Sequence, residues 1–486
     1  MESTSHRFPE NARAALTNEA LQSALGKLET GFVVNRAAAA GRLPEFEALR
    51  DQARDIKNHT LAHLDYYLEA FEAKVIENGG HVHWASTAAE ARQIILDICR
   101  TVDAKTVTKG KSMIAEEIAL NDYLAENGVE PIETDLGEYI IQLRDEPPSH
   151  IIAPAVHVIK EQVAEAFHVA HTHLDPNRSL EEPRELLEEA RAVLRQKFLD
   201  ADVGITGANF LIAETGTSVI VTNEGNGDLT QILPKIHIAL ASLEKVTPTL
   251  EDTTSLLRVL ARSATGQEFS SYTTFSTGPR RDDDVDGPSE YHVVLLDNGR
   301  SGMLGSEFQD MLRCIRCGAC MNHCPVYGVV GGHAYGWVYP GPMGAVLTPT
   351  LIGVEEAGHL PNASTFCGRC ESVCPVRIPL PNLMRQYRKR EFERKLVPAS
   401  TRAGLGLWAF FARRPALYRV ATEIMGLMLR VMGGKRGRIG WLPAARGWTA
   451  HRDMPAPTGR TFQAQWAARR AVRPQSSKDA SRRAKL

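Results

Sequence analysis

Seven of the chain's eight cysteines fall between Cys314 and Cys374, in two linked runs. The first is Cys314-x2-Cys317-x2-Cys320-x3-Cys324-Pro325 and the second is Cys367-x2-Cys370-x3-Cys374-Pro375. At the first spacing three thiolates hold one iron–sulfur cluster and the fourth reaches across to another. A zinc site needs only four ligands, and three evenly stepped cysteines followed by Cys-Pro are not a usual zinc spacing. A disulfide framework belongs to oxidising compartments and small secreted domains. Met1–Thr30 is polar and charged, without the apolar stretch of a secretory signal. The pattern therefore points to an electron carrier.

The crossover places Cys314, Cys317, Cys320 and Cys374 on the first cluster, and Cys324, Cys367 and Cys370 on the second. Aligning the runs puts Ser364 where the second run's first cysteine would stand. The second cluster is then a three-iron cluster, a cluster with a non-cysteine ligand, or one with an open iron. A hydroxyl, His333 or water are the candidates for that position. Cys-Pro after each run breaks the local helix and turns the last thiolate toward the other cluster.

At 486 residues the chain has room for two or three domains. No apolar stretch approaches the roughly 18 residues of a spanning helix. The richest, Leu405–Met432, is broken by Arg413, Arg414, Arg419 and Arg430 and reads as one or two amphipathic helices, with Pro415 starting the second. The net charge of −2 conceals an asymmetry. Val376–Leu486 carries 25 Lys/Arg against 5 Asp/Glu, leaving 31 against 53 for Met1–Pro375. A basic tail can bind nucleic acid, an anionic membrane surface or an acidic protein face. No nucleic-acid module accompanies it, so docking on the acidic body or on a partner is the preferred reading. Arg473–Leu486 has no apolar periodicity and is expected to be disordered.

Along the chain, Asn11–Asn78 reads as helical, with Leu61, Leu64, Tyr67, Leu68 and Phe71 at core spacing. From Gly79 the pattern alternates: strand His81–Trp84, helix Thr87–Arg100, strand Lys105–Lys109, a helix opened by Ser112 and running to Asn127, strand Val129–Thr134. This rhythm predicts a parallel sheet flanked by helices. The sheet is expected to continue in Ser149–Pro154 and, after a helical hairpin around Pro183–Leu199, in Val203–Val221. Cys99, on a helix with Ile94, Ile95 and Ile98, is expected to be a buried structural thiol. Glu214-Thr215-Gly216-Thr217 is a tight turn between two strands, and Asn223–Asp228 is a second glycine-rich loop. Together they are candidates for an anion cradle with Glu214 and Glu224 beside it; the alternative is plain turn chemistry. Lys109 and Lys111 end a parallel strand, where α/β domains bind ligands; the alternative is solvated lysines, with Ser112 as N-cap. No G-x-G-x-x-G and no P-loop supports a nucleotide.

These motifs, with Val-Val-Leu-Leu-Asp-Asn-Gly-Arg at 293–300, a basic C-terminal region carrying Trp408 and the Trp441-Leu442-Pro443 stretch, resemble the lactate utilization protein B family over nearly the whole chain. The resemblance implies an α/β body like that of sugar-phosphate isomerases and formyltetrahydrofolate cyclo-ligases, plus an α-helical ferredoxin-like di-cluster domain. It implies two clusters, of the 4Fe-4S kind, and work with two other lactate utilization subunits, one cysteine-rich and one sharing the α/β body. Together these would oxidise L-lactate to pyruvate in the cytoplasm, with association at a membrane through partners left open. The expected division is 1–78, an N-terminal helical segment; 79–300, the α/β domain; 301–395, the iron–sulfur domain; 396–472, a basic helical domain; and 473–486, a tail. Lys111, Glu214, Thr215 and Glu224 are the candidate substrate-loop residues; no catalytic constellation or flavin motif stands out. The chain departs from the family in Arg280–Pro288, whose four aspartates form either a solvated loop or an oxygen-rich cation loop. Two other classes remain: the iron–sulfur subunit of a glycolate or glycerol-phosphate oxidoreductase, and a redox- or iron-sensing regulator.

Overall fold

The helix-rich start of the chain is set by local signals. Pro9 lies in the first turn of the helix Phe8–Leu16, and the Asn18 side chain accepts the Leu21 N–H to open Glu19–Leu25. Val34–Gly41, Phe46–Ala62 and Leu64–Glu77 follow. Leu61, Leu64, Leu68 and Phe71 are buried, while Tyr67 is half-buried. The computed structural model describes residues 3–442, 445–450 and 452–472; the expected disordered tail lies outside them. The chain divides into two compact units, Met1–Glu393 and Arg394–Leu486.

Among the described residues ten strands lie in the first unit: β1 (His81–Ala85), β2 (Thr106–Gly110), β3 (Glu130–Glu133), β4 (Val203–Gly207), β5 (Phe210–Ile212), β6 (Thr217–Thr222), β7 (Ile236–Ser242), β8 (Val246–Thr247), β9 (Tyr272–Ser276) and β10 (Glu290–Leu296). Six form a wholly parallel sheet in the order β1-β10-β7-β4-β2-β3. The chain moves outward from β2 to β3, then returns to β4 and proceeds the other way through β7 and β10. The order therefore reverses between β2 and β4, the place where an open α/β sheet leaves a crevice at its carboxyl edge. Gly207 permits this join: a Cβ there would lie 2.3 Å from the Lys111 carbonyl oxygen. A second sheet, β8-β5-β6-β9, carries the Glu214–Thr217 turn at one end, where Gly216 has φ +66° and packs against Lys74 and Val75.

Three expectations need correction. Val203–Val221 does not continue the parallel sheet as a whole: only β4 joins it, and β5 and β6 pair antiparallel in the second sheet. Ser112–Asn127 is not one helix but two, Met113–Glu117 and Leu120–Glu126, joined through Ala119 at φ +50°. The Ser112 side chain does cap the first, accepting the Ala115 N–H. The break follows from long-range pairing: Arg300, Asn298 and Tyr339 all bond the Glu117 carboxylate and fix the end of the first helix. Ser149–Pro154 is not a strand. His150 Nδ1 accepts the N–H groups of Ile152 and Ala153, donors that a strand would give to its ladder.

The cysteine region, rich in short turns, carries the helix Gly341–Ile352 between its two runs and is followed by the helix Leu380–Glu393. Its apolar residues share one core with the body: Met311, Tyr327 and Val346 join Leu49 and Ile56 of Phe46–Ala62 and Leu256 and Leu260 of Leu250–Ala264. Each fully buried side chain of this kind contributes about 1.5–3 kcal/mol, which makes body and cysteine region one unit. In the second unit Ala399–Ala412 and Pro415–Gly433 are the two helices expected from the sequence, with Pro415 in the first turn of the second. A short antiparallel pair, Arg438–Ile439 with Met454–Pro455, and the helix Phe462–Val472 complete it.

Candidate metal centre and adjoining cavity

The two cysteine runs fold as a repeat with a period of 50 residues. In the first, Arg316 (φ +58°) and Gly318 (φ +72°) flank Cys317; in the second, Phe366 (φ +54°) and Gly368 (φ +79°) flank Cys367. Left-handed residues this close together turn successive N–H groups inward, a cradle for an anion. Short helical turns follow, Ala319–Asn322 and Arg369–Ser372. The Ile378 N–H donates to Cys374 Sγ at 3.4 Å. All seven cysteines are free thiols.

Their neighbours fall into two sets. Burial pushes Cys317 up to about 12, with Cys374 and then Cys314 as the next thiols that raise it. Cys374 is raised by burial and feels Cys314. Burial likewise pushes Cys370 up to about 12, with Cys324 and then Cys367 beside it. Cys324 is raised by burial and feels Cys367. Cys320, raised well above the usual thiol range by burial, feels Cys317, Cys314, Cys370 and Cys374. Cys374 thus keeps company with the first run and Cys324 with the second. A buried thiol is a poor anion alone and becomes a ligand when a metal replaces its proton. Interleaved thiols, five of them buried with Cys314 half-buried and Cys367 exposed, and inward N–H groups fit iron–sulfur clusters.

The helices of the N-terminal segment support this centre. Arg36 Nη2 donates to the Val373 carbonyl at 2.9 Å, and Arg50 Nη2 to those of Ser372 and Cys374 at 2.6 and 2.8 Å. Ser364 lines the same recess as Cys324, Cys367 and Cys370, its Oγ accepting the Phe366 N–H. His333 does not: its Nε2 donates to the Pro147 carbonyl and its ring packs on His157. Sequence reasoning missed both arginines, because nothing local marks a side chain whose partners lie over 300 residues away.

Beside the centre, at the switch point of the sheet, lies a cavity of about 690 Å³. Lys111 and Ser112 reach it from the end of β2, Asp135 and Glu138 from beyond β3, Ala208 and Asn209 from the end of β4, and Lys245 from beyond β7. Lys111 has φ +56°, a strained position for a non-glycine residue. Its N–H donates to Glu138 at 3.0 Å, and its ammonium pairs with Asp135 and, at 3.2 Å, with Glu224. Burial would lower the Lys111 pKa, but Asp135 and Glu224 more than reverse this and keep it charged. Burial, then Glu133 and Asp135, push Glu138 well above the carboxylate range. Lys109 is not in the cavity; it is buried between Glu116 and Glu133, each at 2.6 Å.

The structure brings Lys111 and Glu224 together and leaves Glu214 and Thr215 apart. The latter lie at the far end of β6, roughly 20 Å of strand from Glu224. Glu214 accepts the Leu250 N–H, and Thr215 donates to Thr217 while its carbonyl accepts from Asn78. The two glycine-rich loops therefore form no common cradle. The aspartates of Arg280–Pro288 are exposed, and Asp284 accepts the Arg281 N–H. Among the described residues no three His, Cys, Asp or Glu side chains converge on a single metal-ion position. Cys99 is fully buried in the α/β core, where burial pushes its thiol up to about 12.

The wall shared with the cysteine region carries charges that the sequence did not flag. Arg316, between Cys314 and Cys317, faces Glu244 at 3.3 Å and stacks over Tyr339 at 4.7 Å. Burial alone would raise Glu244; Arg300, Arg316 and Lys245 instead hold it down at about 2. Burial, then Arg316, lowers Lys245 to about 8, and burial lowers Lys57 to about 8. Lys245 follows a parallel strand, a position that a correct assignment of β7 would have marked.

A family model described as LUD domain matches residues 68–296, a 4Fe-4S dicluster domain matches 310–378, and the C-terminal domain of lactate utilisation protein B matches 393–471. Lactate utilization protein B of Shouchella clausii is 45% identical over 94% of this chain and 95% of that protein. The chain belongs to the lactate utilization protein B family. Its counterpart in Bacillus licheniformis is 43% identical over 94% of this chain and 95% of its own length. A DUF162 family protein from Deinococcus radiodurans, solved by crystallography, matches 48% of this chain and 98% of that one with TM-score 0.25 and 16% identity. The iron–sulfur character expected from the cysteine spacing thus holds for a lactate utilization protein B chain. No helix among its described residues is long and apolar enough to cross a membrane.

Proposed function

We propose that this chain is the iron–sulfur electron-transfer subunit of a cytoplasmic complex that oxidises L-lactate to pyruvate, working with two other lactate utilization subunits. The observation that carries the reading is the interleaving of two thiol sets in one compact unit with an α/β cavity, in a chain alike over nearly its whole length to proteins named for lactate utilization. Oxidation of lactate to pyruvate releases two protons and two electrons. Two bound 4Fe-4S clusters would supply one-electron carriage in series. Cys314, Cys317, Cys320 and Cys374 hold the first; Cys324, Cys367 and Cys370 hold the second, with the Ser364 hydroxyl as the nearest candidate for a fourth ligand. Arg36 and Arg50 fix the carbonyls around Cys374 and so aim its thiolate at the first set. Lys111 and Glu224, at the cavity, are the substrate-loop residues retained from the sequence; Glu214 and Thr215 hold the fold.

The test is low-temperature electron paramagnetic resonance on the anaerobic chain co-purified with the products of neighbouring genes. New reduced-cluster signals with L-lactate, absent with D-lactate or glycolate, are expected. Clusters that dithionite reduces and L-lactate does not would sink the reading.

A further inference from the structure

The cavity beside Cys314 holds two cations that the fold leaves short of partners. Arg316 is 9% exposed, and its Nε and Nη1 are buried without a hydrogen-bond partner. Only Nη2 approaches an acid, Glu244, which is shared with Arg300 at 3.4 Å. Lys245 is 6% exposed and makes no side-chain hydrogen bond or ion pair with any described residue. An unpaired buried donor costs about 1–3 kcal/mol, more when charged. Two on one guanidinium beside an unpaired ammonium, in a space with room for a molecule, call for an acceptor that arrives from outside the fold.

We propose that Arg316 and Lys245 form the head-group site for an organic anion whose apolar body lies in the cavity against the Cys314 centre. The chemistry is that of a carboxylate or phosphate ester, since a planar guanidinium matches either with paired N–H groups. The volume sits within the range of about 300–1,000 Å³ typical of small-molecule pockets. Much of the remaining wall is apolar, from Phe32, Met113, Ile151, Ile152, Leu240 and Leu260. The place is the switch point, where α/β sheets bind ligands. Because Arg316 lies inside the Cys314–Cys317 step, the head group touches the loop that carries the centre. The inference rests on the proposed function only for the nature of that centre.

Two sources share this chemistry: a 2-hydroxy or 2-oxo acid, and a phosphate-bearing redox carrier. The test is anaerobic calorimetric titration of the full-length cluster-loaded chain with L-lactate, pyruvate and flavin mononucleotide in turn. Wild type, Lys245→Gln, Arg316→Lys and Arg316→Gln are compared, with iron content measured for each. At least one probe should bind wild type, and roughly ten- to a hundredfold more weakly in the Lys245→Gln and Arg316→Gln variants. The probe that binds names the source. Should the Arg316 variants lose iron, Lys245→Gln carries the test, since Lys245 lies outside the cysteine runs. Absence of binding by all three probes overturns the proposal, as does binding indifferent to these residues. A shifted cluster signal with unchanged affinity would assign the free N–H groups to the cluster and overturn it equally. Probe binding with this residue dependence, alongside a co-purified complex whose clusters L-lactate cannot reduce, would keep the site and remove the lactate reading.

Discussion

Cys374 belongs to one run by sequence and to the other by surroundings. The first-run thiols Cys314 and Cys317 both interact with it, and its carbonyl is gripped by Arg50. Replacing it with serine should therefore damage the first cluster. Cys374→Ser should lose about half the iron and the first cluster's signal, while a reducible cluster on Cys324, Cys367 and Cys370 persists. Iron analysis with electron paramagnetic resonance decides it; loss of the second cluster alone would refute the ligand sets. The two thiol runs were legible because their spacing is local. The histidines were not, since only packing buries them. His237 is held down at about 3 by burial and the neighbouring His292, and His150 at about 4 by burial. In the unfolded chain both protonate near pH 6.5. The unfolded state then binds more protons, so the stability they contribute is full above about pH 6.5 and is lost as pH falls toward 4. Between pH 7.5 and 5.5 the two together should cost roughly 3 kcal/mol. Urea midpoints at those two pH values check this, and His237→Gln should reduce the difference; equal midpoints in wild type would exclude it. His150 accepts two N–H groups through Nδ1 and bonds Asn322, between Cys320 and Cys324, so acid should loosen the cysteine loop as well.

At the scale of elements, the 50-residue repeat sets Ser364 opposite Cys314. The recess around Ser364 is lined by the three second-set cysteines, so a thiol placed there meets the centre. Ser364→Cys should supply a fourth thiolate, remove any oxidised three-iron signal and leave the first cluster unchanged; spectra identical to wild type would place the fourth position elsewhere. The elements themselves were unevenly readable. Between β1, β2 and β3 the helices open on the Thr87 and Ser112 caps and the last stops before Gly128, and the limits of these strands came within a residue or so. β7 and β10 are buried almost end to end, so no two-residue alternation marks them. The Ser112 helix was drawn too long because its break is imposed by Arg300 and Tyr339, far along the chain. The cavity inherited these gaps: Lys111 and Glu224 were visible as loop residues, whereas Lys245 and Arg316 emerged only once β7 and the cysteine loop were in place.

For the whole molecule, charge and contact divide the chain at the same place. Arg394–Leu486 carries 20 Lys/Arg against 3 Asp/Glu, and Met1–Glu393 carries 36 against 55. The helices of the second unit expose Trp408, Phe410, Ile424, Met428 and Val431, a surface larger than the scattered apolar side chains usual on a monomer. All seven cysteines of the two runs, the arginines that bond the carbonyls at 372–374 and the shared apolar core lie before Glu393. The expectation is that iron is held without the second unit, whose basic helices with exposed apolar side chains offer a surface to a partner with an acidic, partly apolar face. A chain ending at Glu393 should keep the iron content and cluster spectrum of the full chain and bind anion exchangers more tightly. It should fail to co-purify with the other subunits, and association of the intact chain should weaken as salt screens the basic surface. Iron loss on truncation would show that the first unit does not hold its centre alone. Undiminished co-purification would move the partner surface onto the first unit.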